Sequence, residues 1–379
     1  MRGSLRQQKR RGTIAVLTAV MLVVLLGMVA FSVDVGYLVL ARSELQRSSD
    51  AAALAATWEL IDEEELTTGG NAAASEANAR FAASQFAGLN SVLRQAAAVP
   101  DENIVVGYLA NFTDPTAVID TSGLYTSNVV QVKVSRTTAQ NGQVPFFMAS
   151  LLGVDSAAAE AVSTAAMLTD FKGFRAPSDG GNLGILPFAL DVDTWNDLLN
   201  DIGADDWTWN AETGEVESGP DGILEVNLFP QGTGSPGNRG TVDVGSNNNS
   251  TADIARQILD GVTPDDLAHH GGSLELNQNG ELLLNGDAGI SAGVKDELLA
   301  IRGEPRIVPV FREVNGPGNN SQYAIIEFIG IRIVDVKLTG QMSSKRVVIQ
   351  PAQIVSDGGI PGDGTDTSHF IYSPAFIIR

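Results

Sequence analysis

The sequence predicts an α+β protein: one N-terminal transmembrane helix continuing into a helix packed on a small antiparallel sheet, followed by a second mixed α+β domain. Three observations predict it. An uncharged apolar run of about 21 residues, Thr13 to Val33, sits behind a basic N-terminus. An Ala-rich helical pattern follows it without a break, and from Asn103 onward the period shifts from helical spacing to alternation. The 379 residues suffice for two or three domains, and 44% hydrophobic content supplies a core.

The run TIAVLTAVMLVVLLGMVAFSV comes first. At 1.5 Å per residue it spans roughly 30 Å, the hydrocarbon thickness of a bilayer. Arg2, Arg6, Lys9, Arg10 and Arg11 crowd its N-terminal flank, and the first acidic residue, Asp34, opens the other side. The positive-inside rule then keeps residues 1–12 cytoplasmic as a basic tail, makes 13–33 a single-pass transmembrane helix and exports the rest. Ala30-Phe31-Ser32 offers a small-x-small cleavage site. The apolar run nevertheless exceeds a signal-peptide core, and the helical pattern continues past the site, so a retained anchor is expected.

Val35 to Leu66 reads as a continuing helix, with Tyr37, Leu40, Leu45, Leu54 and Trp58 at helical spacings. A second Ala-rich helix is expected over Ala72 to Ala98, before Pro100. Asn103 to Asn111 and Asn128 to Thr137 alternate as half-buried strands. Pro145 to Leu152 reads as a short apolar helix and Asp155 to Leu168 as a third strand or an Ala-rich extended segment. A helix on a small antiparallel sheet is the architecture of pilin-like proteins. Residues 34–170 are therefore expected to form one exported domain, 171–181 a linker, and 182–379 a C-terminal α+β domain. In the latter, Gly184 to Leu190, Glu304 to Glu313, Tyr323 to Leu338, Arg346 to Gln350 and Ala375 to Arg379 read as strands. Thr194 to Ile202, Ala252 to Gly261 and Val294 to Ile301 read as helices, with Ser291 an N-cap.

The net charge of −21 arises after the basic tail, so the exported mass is strongly acidic and repels phosphate backbones. Nucleic-acid binding is excluded. With no cysteine, disulfides, thiolate metal sites and cysteine nucleophiles are excluded as well.

No catalytic, cofactor-binding or metal-ligating set emerges, and no cofactor is expected. Asp357-Gly358-Gly359 with Gly362-Asp363-Gly364-Thr365-Asp366 lacks EF-hand spacing and reads as turns. His269 and His270 are adjacent and His369 is remote, a poor arrangement for zinc. Gly234-Ser235-Pro236-Gly237 departs from a nucleophile elbow, and the Gly286-to-Gly293 stretch lacks the Lys-Ser/Thr ending of a phosphate loop. Asp205-Asp206 and Asp265-Asp266 read as solvated loop charges rather than catalytic dyads.

Arg10-Arg11-Gly12, the apolar run and SVDVGYLVLARSELQRSSDAAALAAT together resemble the N-terminal region of TadE/TadG-like Flp pilus-assembly proteins. The signature rests on Arg11, Gly12, Asp34, Gly36, Leu45, Gln46, Asp50, Ala51, Ala52, Ala53 and Leu54. Val144-Pro145-Phe146-Phe147 extends the likeness more diffusely. The resemblance implies an inner-membrane component of a pilus or tight-adherence system, with its bulk extracytoplasmic and other pilus-assembly subunits, in a homo- or hetero-oligomer, as partners. Processed pilins carry a glutamate five residues after the peptidase cut. Leu17 stands at that place here, favouring a permanently anchored, TadG-like role. The metal motif of a von Willebrand factor A domain, carried by some relatives, is missing: Asp120-Thr121-Ser122-Gly123 lacks its second serine.

The function expected is thus a noncatalytic structural component acting through protein–protein contacts. The alternative is an anchored binding module or adhesin for a glycan or envelope polymer, for which Trp195, Trp207 and Trp209 would line the groove.

Overall fold

The computed structural model describes residues 13–68, 70, 72–114, 116–229, 240–245, 250–288, 291–316, 321–341, 344–362 and 367–378. Helix α1, Thr13–Trp58, is one unbroken helix of 46 residues. No proline interrupts it, and alanine, leucine and valine make up more than half of it. Its character changes midway. Ile14, Leu17, Val23, Leu26 and Phe31 are exposed, in a helix long and apolar enough to cross a membrane. Past Asp34 one stripe is fully buried: Ala41, Leu45, Ser48, Ala52, Ala53 and Ala56. Ala41, Leu45, Ser48, Ala52 and Ala56 recur at three- and four-residue steps, the spacing of one helical face, with Ala53 beside them.

Small residues on that stripe let two elements approach closely. Helix α2, Ala72–Leu89, packs on α1 through Ala79, Ala83 and Ala87, spaced by one turn each. Ser48 Oγ donates to the Ala87 carbonyl at 3.1 Å. The other flank of α1 rests on a sheet of strands β1 (Ile104–Gly107), β2 (Val129–Arg136) and, after the short pair β3 (Val144–Pro145) and β4 (Ser156–Ala157), β5 (Ala159–Ala166). β2 pairs antiparallel with β1 and β5, with Val129 opposite Ala166 and Arg136 opposite Ala159. Ser49 Oγ and Thr57 Oγ1 donate to the carbonyls of Val132 and Ala165, at 2.7 and 3.3 Å.

Three elements differ from expectation. α1 ends at Trp58 rather than Leu66. A separate 3-10 turn, Glu63–Leu66, follows, its Asp62 N-cap accepting from the Glu64 N–H. α2 stops at Leu89. The next residues turn back through Leu93 and Arg94, both at positive φ, while Glu44 accepts the Leu93 N–H and the Arg136 guanidinium donates to the Val92 carbonyl. The apolar segment 145–152 splits into β3 and a 3-10 turn, Ala149–Leu152.

The second half is built on an eight-stranded sheet. Its longest strand, Ser321–Lys337, is buried on both faces for most of its length, as a nearly continuous apolar run allows. It pairs antiparallel with Pro305–Asn315, Leu282–Ala288 and Arg346–Pro351. Helices Val192–Leu199, Thr251–Asp260 and Lys295–Ala300 contribute Trp195, Ile254, Ile258 and Leu298 to the core on one face. Phe171, Phe174, Phe328 and Ile325 fill the other. The expected strand over Gly184 to Leu190 is reduced to bridges at Ile185 and Phe188 before the two-residue strand Leu190–Asp191. Gly330 sits where the long strand meets two other backbones. A Cβ there would lie 2.6 Å from the Phe370 carbonyl and closer still to that of Ala352.

Within the expected 171–181 linker, Phe171–Arg175 is instead a strand paired with Ser273–Glu275 and Gly359–Pro361, and the halves are joined by further contacts. The last strand, Phe376–Ile377, returns to pair with β5 and completes the order β1-β2-β5-(Phe376–Ile377) in the first sheet. The Thr68 N–H and hydroxyl both donate to the Gly222 carbonyl, at 2.7 and 2.8 Å, and Gln353 Nε2 donates to the Asp62 carbonyl at 3.0 Å.

Candidate functional site

The densest meeting of predicted signature residues with tertiary structure is the joint where α1 leaves its exposed apolar half. Asp34 belongs to α1 but serves another element. Its side chain is buried at 5% exposure. Oδ1 accepts the Phe147 N–H at 2.8 Å, and Oδ2 accepts the N–H groups of Met148 and Ala149 at 3.1 and 2.6 Å. A carboxylate thus caps the free N–H groups that open the 3-10 turn Ala149–Leu152, where an anion is stabilised by donors and aligned dipoles. Burial works against the charge, but the donated N–H groups of Phe147, Ala149 and Met148 outweigh it and hold the carboxyl below the usual carboxylate range. One turn on, the Tyr37 ring meets Phe147 edge-on, with centroids 5.2 Å apart. Between α1 and the turn lies a cleft of about 520 Å³, lined by apolar residues of both, from Leu26 to Leu38 and from Phe146 to Leu151.

Four turns further along, Asp50 repeats the device. Ser163 Oγ of β5 and Gln46 Nε2 both donate to its Oδ1, at 2.6 and 2.7 Å. Leu45, Ala52 and Ala53 are wholly buried, while Ala51 and Leu54 are half-buried. Gly36 is different: a Cβ built there meets nothing within 4 Å, and nothing in the structure explains a glycine at that point. Arg11 and Gly12 lie outside the described residues.

The other polar candidates are occupied in holding loops. The Asp120 carboxyl accepts the Ser122 N–H at 2.8 Å, which holds it below its ordinary range. Asp266 closes a capping box with Thr263 and pairs with Arg256 at 2.6 Å. Asp205 accepts the N–H groups of Asp221 and Gly222, and Glu225 those of Asp206 and Trp207. Burial, against those two N–H donors and with Asp205 and Asp221 adding repulsion, pushes Glu225 up to about 7. His369 Nε2 lies 3.2 Å from Glu327, whereas burial first of all pushes His270 down. Among the described residues no group of three or more histidines and carboxylates could hold a metal. Residues 234–237 and 363–366 lie outside the described residues. Ser291 caps the turn Ala292–Val294, accepting the Gly293 N–H.

Trp195 is buried beside His369 and Phe370. Trp207 and Trp209 are half-buried on a hairpin, covered by the guanidinium groups of Arg302 and Arg332 at 5.1 and 4.8 Å. Arg332 was missed by sequence reasoning. Its side chain is 1% exposed, and it pairs with Glu63, just beyond α1. A charge inside the apolar stretch Ile329 to Val334 was the available signal.

Two family matches cover the elements around this joint. Residues 12–75 match the Flp pilus-assembly TadE/G-like family, and residues 55–165 match the Tad-like Flp pilus-assembly family. No curated protein and no solved structure matches the chain. Together the matches run from the start of α1 to the end of β5, leaving the eight-stranded sheet outside them. The helix-and-sheet region over residues 12–165, which begins with a helix long and apolar enough to cross a membrane, is thus similar to TadE/TadG-like Flp pilus-assembly proteins.

Proposed function

We propose that the protein is a noncatalytic, single-pass component of a Flp-type pilus or tight-adherence machine that works through protein–protein contacts of its exported parts. The observation that carries this reading is the double character of α1. Its first half exposes no charged side chain and a nearly continuous apolar surface, as a lipid-facing helix does, and its second half is the central core element of the matched region. Such a helix transmits the position of the membrane directly to the domain above it. Asp34 and Asp50, with the small residues between them, hold that domain to the helix.

In this reading residues 1–12 stay in the cytoplasm, 13–33 cross the inner membrane, and the bulk of the chain is extracytoplasmic, with its acidic surface facing partner subunits. The unit 34–170 carries most of the family signature, and the second half, which takes in the strand Phe171–Arg175, is the docking part, in a homo- or hetero-oligomeric assembly. The adhesin reading gains nothing from the tryptophans, which are buried or covered by arginines rather than lining an open groove.

Affinity capture of the full-length membrane protein from its native host, followed by mass spectrometry, tests the proposal. Recovery of pilus ATPase, platform or secretin subunits is the expected result. Unchanged pilus assembly and adherence after deletion of the gene would count decisively against it.

A further inference from the structure

We propose that the turn Phe146 to Val154 is a second membrane contact, dipping into the lipid leaflet at the C-terminal end of the membrane-crossing part of α1 and taking acyl chains into the cleft beside it. The inference rests on the reading of α1 as a membrane anchor and adds to it a loop 113 residues away in sequence from Asp34.

The side chains point to lipid. The stretch FFMASLLGV carries no charge, and four of its apolar groups face outward: Leu151 is 82% exposed, Phe147 56%, Val154 50% and Met148 42%. A soluble surface rarely presents such a cluster without a partner. The position points to lipid as well. The cleft is walled on one side by Leu26 to Leu38, and the eight residues from Leu26 to Asp34 extend about 12 Å along the helix axis. The turn therefore lies beside the last turns of the apolar run, at the depth where hydrocarbon gives way to headgroups. Tyr37, packed on Phe147, stands where aromatic residues mark that boundary.

The backbone supplies an independent argument. Hydrocarbon tolerates an irregular segment only if its N–H groups are satisfied within the protein. Asp34 takes those of Phe147, Met148 and Ala149. The N–H groups of Phe146, Leu151, Gly153 and Val154 donate to the carbonyls of Asp155, Met148, Ser150 and Ala149, and the Ser150 hydroxyl donates to the Phe147 carbonyl. A turn with apolar side chains outside and these seven N–H groups bonded inside is suited to a low-dielectric boundary.

Because the chain has no cysteine, single nitroxides can be placed at will. Leu151→Cys, Leu22→Cys and Leu124→Cys, each in the full-length protein and spin-labelled, are reconstituted into phosphatidylcholine vesicles. Accessibility to oxygen and to a water-soluble nickel chelate is then read at each position. Position 22 reports the anchor, and 124 reports an exposed loop of the first domain. The expected result is loss of nickel access and gain of oxygen access at 151, matching 22 and opposite to 124. Nickel access at 151 equal to that at 124, with 22 in lipid, overturns the inference while leaving the anchor intact. Shielding of 151 from both reagents means that protein covers the turn, and overturns it too. An aqueous label at 22 overturns the anchor reading, and the inference falls with it.

Discussion

The pair formed by Arg332 and Glu63 offers a test of how the anchor-bearing region is held to the second half. The two ends differ in environment: the Arg332 side chain is 1% exposed and that of Glu63 43%. Nε and Nη1 of Arg332 have no hydrogen-bond partner, so its charge is met by Glu63 and by the Trp209 ring at 4.8 Å. Glu63→Gln leaves that guanidinium buried without a counter-charge. A fully buried pair broken at one end loses about 3–5 kcal/mol, whereas an exposed pair is worth about 0–1 kcal/mol. With one end in water the expected loss lies between, at about 1–2 kcal/mol. Arg332→Met removes the charge with its desolvation cost and keeps an apolar stem, so its own change should stay within about 1 kcal/mol, much of it the lost cation–π contact. Once Arg332 is Met, Glu63→Gln should cost almost nothing. The assay is urea unfolding of the detergent-solubilised full chain, followed by tryptophan fluorescence, for wild type, both single variants and the double variant. A coupling below about 0.5 kcal/mol would refute the reasoning, since it would mean that solvent already neutralises the buried charge.

Three further outcomes follow from the same structure. Gly36→Ala should leave stability unchanged or raise it by up to about 1 kcal/mol, because a methyl group meets nothing there and a helical glycine carries excess chain entropy; a lowered Tm would reveal a contact absent from the isolated chain. Gly330→Ala should lower Tm and folded yield sharply, since the added methyl group collides with the Ala352 and Phe370 carbonyls rather than with side chains that can turn away. Glu225, raised to about 7 by burial, binds a proton more readily folded than unfolded. Its contribution is therefore fully present below its unfolded value near 4.5 and is lost as pH rises through about 7. A pH series of unfolding midpoints should show this decline between those limits in wild type and its absence in Glu225→Gln.

What the sequence by itself determined about this protein is whatever is written in local pattern. The apolar run, its basic flank and the small-residue stripe from Ala41 to Ala56 are enough to specify one long helix with a lipid-facing half and a packed half. Alternation located β1 and β2 to within a few residues, and the continuous apolar run located the strand Ser321–Lys337. Each of these depends on neighbours within a turn or two of chain, so composition and period suffice. What Asp34 and Asp50 do was not legible, although both residues stood out. Their partners, Phe147 to Ala149 and Ser163, lie more than a hundred positions away, and a carboxylate at a membrane exit reads identically whether it meets water or a loop. The early end of α2 belongs with them, because helix propensity over 90–98 yields to the carboxylate of Glu44 and the guanidinium of Arg136, which capture the backbone of Val92 and Leu93. Only the tertiary structure could decide that Phe376–Ile377 completes the first sheet, or that Arg332 reaches Glu63. Backbone donors and buried charges take whichever partner the assembled fold brings within reach, and no local pattern encodes that choice.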